Sequence, residues 1–132
     1  MKYVFPAIFT PEDGGAYSVI FPDLDGCYTC GDDLQDALEM AADALALTLY
    51  GYEKDNRPVP AASTLSDLSI DNVKNEFFNY IACDTLVYRK IYNSKSVKKT
   101  LTIPEWLNEA AISMDLNFSQ VLQDALLQKI KL

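Results

Sequence analysis

The feature that most constrains the fold is a short strand pattern followed directly by two helix patterns, within residues 98–130. Apolar and polar residues alternate from Lys98 to Ile103, which predicts a strand. Pro104 cannot extend a paired strand but suits the first turn of a helix, and two apolar stripes at helical spacing follow it. The stripes are Trp106, Leu107, Ala110, Ala111 and Met114, then Val121, Leu122, Ala125, Leu126 and Ile130. A strand without a partner and two helices with bare apolar faces together predict pairing with a second copy.

The sequence also indicates where the first of these helices ends and the second begins. Asp115-Leu116-Asn117 interrupts the helical spacing, and Asn117 with Gln120 three residues later predicts an N-cap and its reciprocal partner. This segment resembles the ribbon-helix-helix DNA-binding family over about its whole length. The resemblance implies a homodimer in which a two-stranded antiparallel ribbon enters the major groove of operator double-stranded DNA.

The resemblance also implies which residues of this chain would contact DNA, because they match the DNA-contacting positions of that family. The base-facing residues would be Lys98, Thr100 and Thr102. The backbone N–H groups near Asn117, Phe118 and Ser119 would bind phosphate at a helix N-terminus. The plainer alternative is a helical hairpin that only dimerises.

The preceding residues predict a second, larger unit of α+β class. The strands are predicted at Met1–Thr10, Ala16–Phe21, Cys27–Cys30 and Phe78–Arg89, with a long helix between the third and fourth. Asp32 or Asp33 caps that helix, which fades between Tyr50 and Asp55. Its predicted buried stripe consists of Leu34, Ala37, Leu38, Ala41, Leu45 and Leu49. The acidic residues Asp36, Glu39 and Asp43 lie on or beside its solvent-exposed face. Pro6 favours an edge position or a bulge. The order is β-β-β-α-β, with domains at 1–92 and 97–132.

Charge is divided unevenly along the chain. The net charge is −8, but residues 1–88 hold four basic and fifteen acidic side chains, whereas residues 89–132 hold seven and four. The acidic body therefore suits a basic partner and the tail an anionic one. With no long apolar run, no signal-peptide pattern and three cysteines, we expect a cytoplasmic protein with no membrane span.

Two motifs in the body carry a family resemblance. The stretches YSVIFPDLDG, residues 17–26, and CGDDLQDALE, residues 30–39, resemble the HicB family of antitoxins in order and spacing. The resemblance covers almost the whole chain and implies a truncated ribonuclease H-like body. It also implies the antitoxin of a type II toxin-antitoxin system. Such a protein inhibits a basic, HicA-like mRNA-cleaving toxin and represses its own operon.

The residues suggest where a toxin would bind. In the turn from Phe21 to Tyr28, Asp23 and Asp25 lie beside the apolar Leu24 and Tyr28. An apolar anchor flanked by carboxylates suits a basic site that normally receives RNA phosphates. We therefore predict toxin contacts at Phe21, Asp23, Leu24, Asp25 and Tyr28.

Catalytic interpretations are weaker. The chain has no histidine, so Ser–His and Cys–His nucleophilic pairs are excluded, and neither a metal nor a cofactor is expected. Cys27-x-x-Cys30 lacks the further ligands of a zinc site, which favours ordinary strand cysteines. One alternative function is a metal-dependent nuclease using Asp23 and Asp25, although these residues suit turn chemistry equally well. The other alternative is a stand-alone repressor that senses a small ligand.

Overall fold

Four strands with alternating burial form one antiparallel sheet, covered on one face by a long helix. The computed structural model describes residues 1–130, which divide into two units, Met1–Lys95 and the chain from Ser96 onward. The first unit contains β1 (Lys2–Pro11), β2 (Tyr17–Ile20), β3 (Tyr28–Gly31), α1 (Leu34–Lys54), β4 (Phe77–Asp84) and α2 (Thr85–Tyr92). The second contains α3 (Glu105–Ser113) and α4 (Phe118–Ile130). The predicted α+β class is confirmed, and none of the described helices is long and apolar enough to cross a membrane.

The sheet has the order β3-β2-β1-β4, and every neighbouring pair is antiparallel. Alternate residues of each strand point towards α1, and apart from Pro6 the buried strand residues are among them. They include Phe5, Ala7 and Phe9 of β1, Val19 of β2 and Ile81 of β4, packed with Ala37, Ala41, Leu45 and Leu49 of α1. The small alanines allow α1 to lie close to the sheet, as their abundance predicts.

The start and end of α1 follow its sequence signals. Asp33 caps the helix, because its carboxylate accepts a hydrogen bond of 2.8 Å from the backbone N–H of Asp36. The choice between Asp32 and Asp33 is thereby settled. Leu34 does not belong to the buried stripe as predicted, because its side chain is exposed in the first turn. The helix ends at Lys54, within the predicted range.

Gly31 marks the closest approach between β3 and α1. A Cβ atom at this position would lie 2.2 Å from the backbone nitrogen of Ala37. We expect Gly31→Ala to lower the free energy of unfolding by about 1–3 kcal/mol, because backbone must move to make room. Gly51→Ala is the matched control, since nothing lies within 4 Å of its added Cβ and alanine favours helices. Urea unfolding of both variants checks this, and an unchanged midpoint for Gly31→Ala would contradict it.

Pro6 shows how an interior strand tolerates proline. It lies in β1, between β2 and β4 in the sheet, and pairs in register with Tyr80. The pairing of β1 with β2 covers only Ile8 to Pro11. At Pro6 the strand is therefore a local edge on its β2 side, where a missing N–H costs no ladder bond. The predicted edge position is confirmed in this local sense.

The predicted fourth strand, Phe78–Arg89, is wrong in its second half. β4 ends at Asp84, and the next residues form α2. The Asp84 carboxylate accepts a hydrogen bond of 2.9 Å from the N–H of Leu86 and so caps the new helix. As a result Thr85 is buried whereas Val87, two residues later, is exposed.

Candidate functional site

The loop between β2 and β3 is a compact turn with its apolar side chains inside. Successive backbone hydrogen bonds run from Leu24 N–H to the Phe21 carbonyl and from Cys27 N–H to the Leu24 carbonyl, at 3.1 and 3.2 Å. A further bond of 3.0 Å from Phe21 N–H to the Cys27 carbonyl closes the loop. Gly26 has a φ of 74°, a conformation that favours glycine. Phe21, Leu24 and Cys27 consequently all belong to the core of the body.

This packing corrects part of the predicted toxin site. Leu24 is only 2% exposed and Phe21 is equally buried, so neither can act as an apolar anchor for another protein in this conformation. Asp25 and Tyr28 are exposed, the latter at 73%. Only these two of the five predicted residues offer a free surface.

In the described conformation, the Asp23 carboxylate is hydrogen-bonded to Ser63. One of its oxygens accepts a hydrogen bond of 2.9 Å from the Ser63 N–H, and the other accepts a hydrogen bond from the Ser63 hydroxyl. These bonds attach the segment after α1 to the loop between β2 and β3. Within residues 1–130, no three Asp, Glu or Cys side chains are grouped as metal ligands. The hydrogen bonds from Ser63 support turn and loop chemistry for Asp23.

The outer face of α1 carries a stripe of acidic and apolar residues, of which the sequence predicted only the solvent exposure of the acidic ones. Glu39 and Asp43 are exposed there, together with Met40 and Leu47. Lys54, in the last turn, is the only basic residue of the helix. The spacing of Met40 and Leu47, seven residues apart, places both on one face, and this spacing was the available signal. Exposed apolar side chains flanked by carboxylates suit a basic protein partner.

Glu53 joins three elements at the other end of α1. Its carboxylate accepts hydrogen bonds from the Tyr3 hydroxyl at 2.8 Å and the Thr85 hydroxyl at 3.0 Å, and pairs with the Arg89 guanidinium at 3.0 Å. Burial alone would raise the pKa of Glu53, but the hydrogen bonds from Tyr3 and Thr85 hold it below its ordinary value. Burial and the Glu53 carboxylate raise the pKa of Tyr3 to about 12. This cluster explains why the chain turns into a helix at Thr85.

Glu53 should make the body sensitive to acid. Because its folded pKa lies below the unfolded value, it stabilises the fold above pH ~4.5, and this contribution is lost as the pH falls through the folded pKa. We expect Glu53→Gln to lower the free energy of unfolding by about 1–2 kcal/mol at pH 7. The difference from the unmodified chain should shrink below pH ~4.5. Urea unfolding between pH 7 and 3, with Glu39→Gln as the exposed control, measures this. A difference that stays constant with pH would contradict it.

The predicted DNA-facing residues lie in the second unit. Lys98, Thr100 and Thr102 are all exposed, in a segment that forms no strand ladder within residues 1–130. A ribbon strand that pairs only with a second copy would look like this in a single chain. The strand itself therefore stays a prediction.

The two helices of the second unit end and begin as their sequence predicts. After α3, Asp115 adopts a φ of 55°, while Leu116 N–H donates to the Ala111 carbonyl and Asp115 N–H to the Ile112 carbonyl. This is a Schellman termination. Asn117 then caps α4 by accepting a hydrogen bond from Gln120 N–H at 3.1 Å. The predicted reciprocal bond does not form, because the Gln120 amide donates to Asp124 instead.

Neither helix of the second unit has a buried residue. The apolar stripes of α3 and α4 are exposed, including Trp106 at 69%, except for the half-buried Ala111 and Leu122. Short helices gain most of their stability from packing an apolar face, and here the faces remain open. The predicted phosphate contacts are the N–H groups near Phe118 and Ser119, at the start of α4. In the sequence they come just before the apolar stripe of that helix.

Comparison with known proteins assigns the chain to a family. The family model of the HicB-like antitoxin of bacterial toxin-antitoxin systems matches residues 5–127. This chain belongs to the HicB-like antitoxin family. The resemblance inferred from the body motifs is confirmed by this match, which also spans most of the second unit.

Individual HicB relatives support the assignment. Antitoxin HicB 2 of Photorhabdus laumondii is 27% identical over 101 residues, covering 76% of this chain and 72% of that protein. Antitoxin HicB 1 of the same organism is 36% identical over 67 residues. That match covers 51% of this chain, and the chain spans less than half, 43%, of that relative's length. In a toxin-antitoxin complex from Streptococcus pneumoniae, one chain is 30% identical with a TM-score of 0.63, covering 98% of this chain and 99% of that one.

Proposed function

We propose that this HicB-family chain is the antitoxin of a type II system. Its first unit binds and inhibits a HicA-like, mRNA-cleaving toxin. Its second unit dimerises as a ribbon-helix-helix module and represses its own operon by binding operator DNA. The observation that carries the proposal is a HicB-like body joined to two helices whose apolar faces are open. We also propose that the body is a truncated ribonuclease H-like fold, a likeness that would concern the fold alone, because a fold does not carry an activity.

Support for a toxin partner comes from family membership and from charge. The related Streptococcus pneumoniae structure is a toxin-antitoxin complex. The first unit, Met1–Lys95, carries seven basic and fifteen acidic residues, so its net charge of −8 favours encounter with a basic protein. We place the toxin contact on the acidic face of α1, around Glu39 and Asp43, and at the exposed Asp25.

Support for DNA binding comes from the segment that leads into the second unit. Residues 85–104 contain five basic and no acidic side chains. Two of the five, Lys98 and Lys99, lie in the predicted ribbon strand. The structure corrects the charge split in one respect: Arg89 pairs with Glu53 in the body, and the residues from Ser96 onward have no net charge. DNA binding must therefore rest on the ribbon and the helix N-termini rather than on a strongly basic surface.

Co-purification provides the first test of the proposal. The chain is expressed with an affinity tag together with its genomic neighbour that encodes a short basic protein containing histidine. We expect the two proteins to purify together and ribonuclease activity of the neighbour to be suppressed in the complex. Separate elution of the two proteins, with the activity undiminished, would refute the toxin-binding half of the proposal.

The ribbon assignment predicts two different kinds of DNA-binding defect. Replacing Thr100 and Thr102 with alanine should reduce the preference for the operator over random DNA, because base contacts carry specificity. Replacing Lys98 and Lys99 should weaken binding to both DNAs, and by about 1–3 kcal/mol for each side chain that reads a base. Fluorescence anisotropy at two salt concentrations measures both. Equal affinity of the unmodified chain for operator and random DNA would contradict the assignment.

A further inference from the structure

The segment that joins α2 to α3 begins with four polar residues. The Asn93 N–H closes α2 by donating a hydrogen bond of 2.7 Å to the Arg89 carbonyl, and residues 93–104 belong to no helix or strand of the described chain. All of them are exposed. We name residues 93–96, with the sequence Asn-Ser-Lys-Ser, the arm. Within residues 1–130, the side chains of the arm make no hydrogen bond or ion pair, so they are available to a partner.

Charge in this part of the chain has one sign. Residues 85–104 contain five basic side chains and no acidic one. Arg89 is neutralised within the body, because its guanidinium pairs with Glu53 at 3.0 Å. Lys95, in the arm, is exposed and forms no ion pair within the part of the chain that the structure describes. A lysine beside hydroxyl and amide groups, with no carboxylate nearby in sequence, suits an anionic partner.

The predicted ribbon itself has little positive charge. Of its three base-facing residues, Lys98, Thr100 and Thr102, only the first is a cation, and the residues from Ser96 onward have no net charge. Neutralisation of phosphates supplies essentially all of the sequence-independent affinity of a protein for DNA. Phosphate contacts outside the ribbon would therefore strengthen binding considerably.

The place of the arm in the chain brings it to the DNA backbone. Lys95 precedes Lys98 by three residues, so their Cα atoms lie at most about 11 Å apart. The major groove is about 12 Å wide, and a row of phosphates bounds it on each side. A chain that leads into a strand lying in this groove must cross one of these rows. Lys95 is within reach of that row, and serine and asparagine side chains also bind phosphate oxygens in protein–DNA complexes.

We propose that residues 93–96 are a phosphate-binding arm, which contacts the sugar-phosphate backbone of double-stranded DNA beside the groove that receives the ribbon. This inference rests on the DNA-binding half of the proposed function and adds a contact outside the ribbon and the helix N-termini. The Lys95 ammonium neutralises one phosphate per chain, and the Ser94 and Ser96 hydroxyls donate hydrogen bonds to phosphate oxygens. Because phosphates carry no sequence information, the arm adds affinity without preference for the operator.

The salt dependence of DNA binding tests the Lys95 contact. Fluorescence anisotropy of the full-length chain is measured with a duplex from upstream of its own operon and with a random duplex of equal length, over a series of salt concentrations. We expect Lys95→Gln to weaken binding to both at least fivefold and to leave their ratio unchanged. The slope of log affinity against log salt should fall by about 1.8, because each of two paired chains loses a contact worth about 0.9.

Two further variants separate a contact from a general effect of charge. Lys54→Gln is the matched control, since it also removes one exposed lysine but from the last turn of α1, and it should change neither affinity nor slope. Ser94→Ala combined with Ser96→Ala should weaken binding to both duplexes at least twofold. The slope should stay the same in this variant, because a hydroxyl group displaces no counterion.

Lysine acetylation locates the contact directly. The chain is treated with an N-hydroxysuccinimide ester of acetic acid, with and without duplex DNA, and the modified lysines are identified by mass spectrometry. We expect DNA to slow acetylation of Lys95 and Lys98 at least threefold and to leave Lys54 unaffected. Duplex RNA of the same sequence should protect neither residue, because its major groove is too narrow to receive the ribbon.

The outcomes distinguish the arm from the ribbon. Protection of Lys98 without protection of Lys95, or an unchanged salt slope in Lys95→Gln, would overturn the arm and leave the ribbon assignment in place. Protection of Lys95 by RNA but not by DNA would overturn it in favour of an RNA partner. If the unmodified chain binds neither duplex and DNA protects no lysine, the DNA-binding half of the proposed function fails, and the arm fails with it.

Discussion

Replacing Leu126 with glutamate is expected to separate the paired tails and to reduce operator affinity at least a hundredfold. Leu126 belongs to the exposed apolar stripe of α4, which the proposed ribbon-helix-helix dimer would bury. A carboxylate in that interface costs several kcal/mol, and about 2.7 kcal/mol already corresponds to a hundredfold loss. Light scattering measures the association, and anisotropy with labelled operator DNA measures the affinity.

The control for this variant lies on the same helix. Gln123 is exposed and outside the apolar stripe, so Gln123→Glu adds the same charge without entering the proposed interface. We expect it to leave the mass unchanged and to weaken DNA binding only by ordinary charge repulsion. Removal of residues 97–132 should likewise give a smaller assembly. An unchanged assembly after either Leu126→Glu or the truncation would exclude the tail as the dimerisation element.

The second large effect concerns growth rescue by the body alone. A fragment of residues 1–95 should neutralise the co-expressed toxin, because the first unit has its own sheet, helix and core. The fragment extends to residue 95, the end of the first unit, so that it contains all of α2, which packs on α1 through Tyr88 and Tyr50 with ring centroids 5.4 Å apart. Rescue only by the full-length chain would show that the tail contributes to inhibition.

Charge reversal within this fragment should locate the toxin contact. We expect Glu39→Lys with Asp43→Lys to abolish rescue, and Asp25→Lys to weaken it, because both replace carboxylates facing a basic partner with like charge. Asp13→Lys, an exposed change in the turn after β1, should rescue as well as the unmodified fragment. Full rescue by the α1 double variant would place the toxin elsewhere. Colony counts under toxin induction report all four outcomes.

Local sequence patterns were sufficient for the first three strands of the body, for the long helix and for the Asn117 cap, and they limited the cap of the long helix to Asp32 or Asp33. Alternation in β1 and β2 and the capping position of Asp33 each depend on a few neighbouring residues. The end of β4 at Asp84 did not follow from strand propensity, because the Asp84 cap and the hydrogen bond from Thr85 to Glu53 both favour a helix at residue 85. Glu53 lies 32 residues earlier in the chain, outside any local window of sequence.

The candidate site was harder to predict than the fold for a related reason. In the turn from Phe21 to Tyr28, composition identified an apolar residue between two carboxylates but not the direction of its side chain. Backbone hydrogen bonds within the loop turn Leu24 into the core. Asp23 accepts a hydrogen bond from Ser63, which lies in a distant segment of the chain. The acidic face of α1 was visible in the sequence, but a solvated helix face and a binding face have the same pattern.

The open apolar faces of α3 and α4 make the proposed repressor sensitive to its own abundance. If the tail acquires its core only in a pair, its stability contains a concentration term, and each tenfold dilution removes about 1.4 kcal/mol. At low abundance the occupancy of an operator by paired tails rises with the square of the chain concentration. The body, whose core is complete in one chain, has no such term in its folding. Transcriptional control would thus be lost on dilution before the body unfolds.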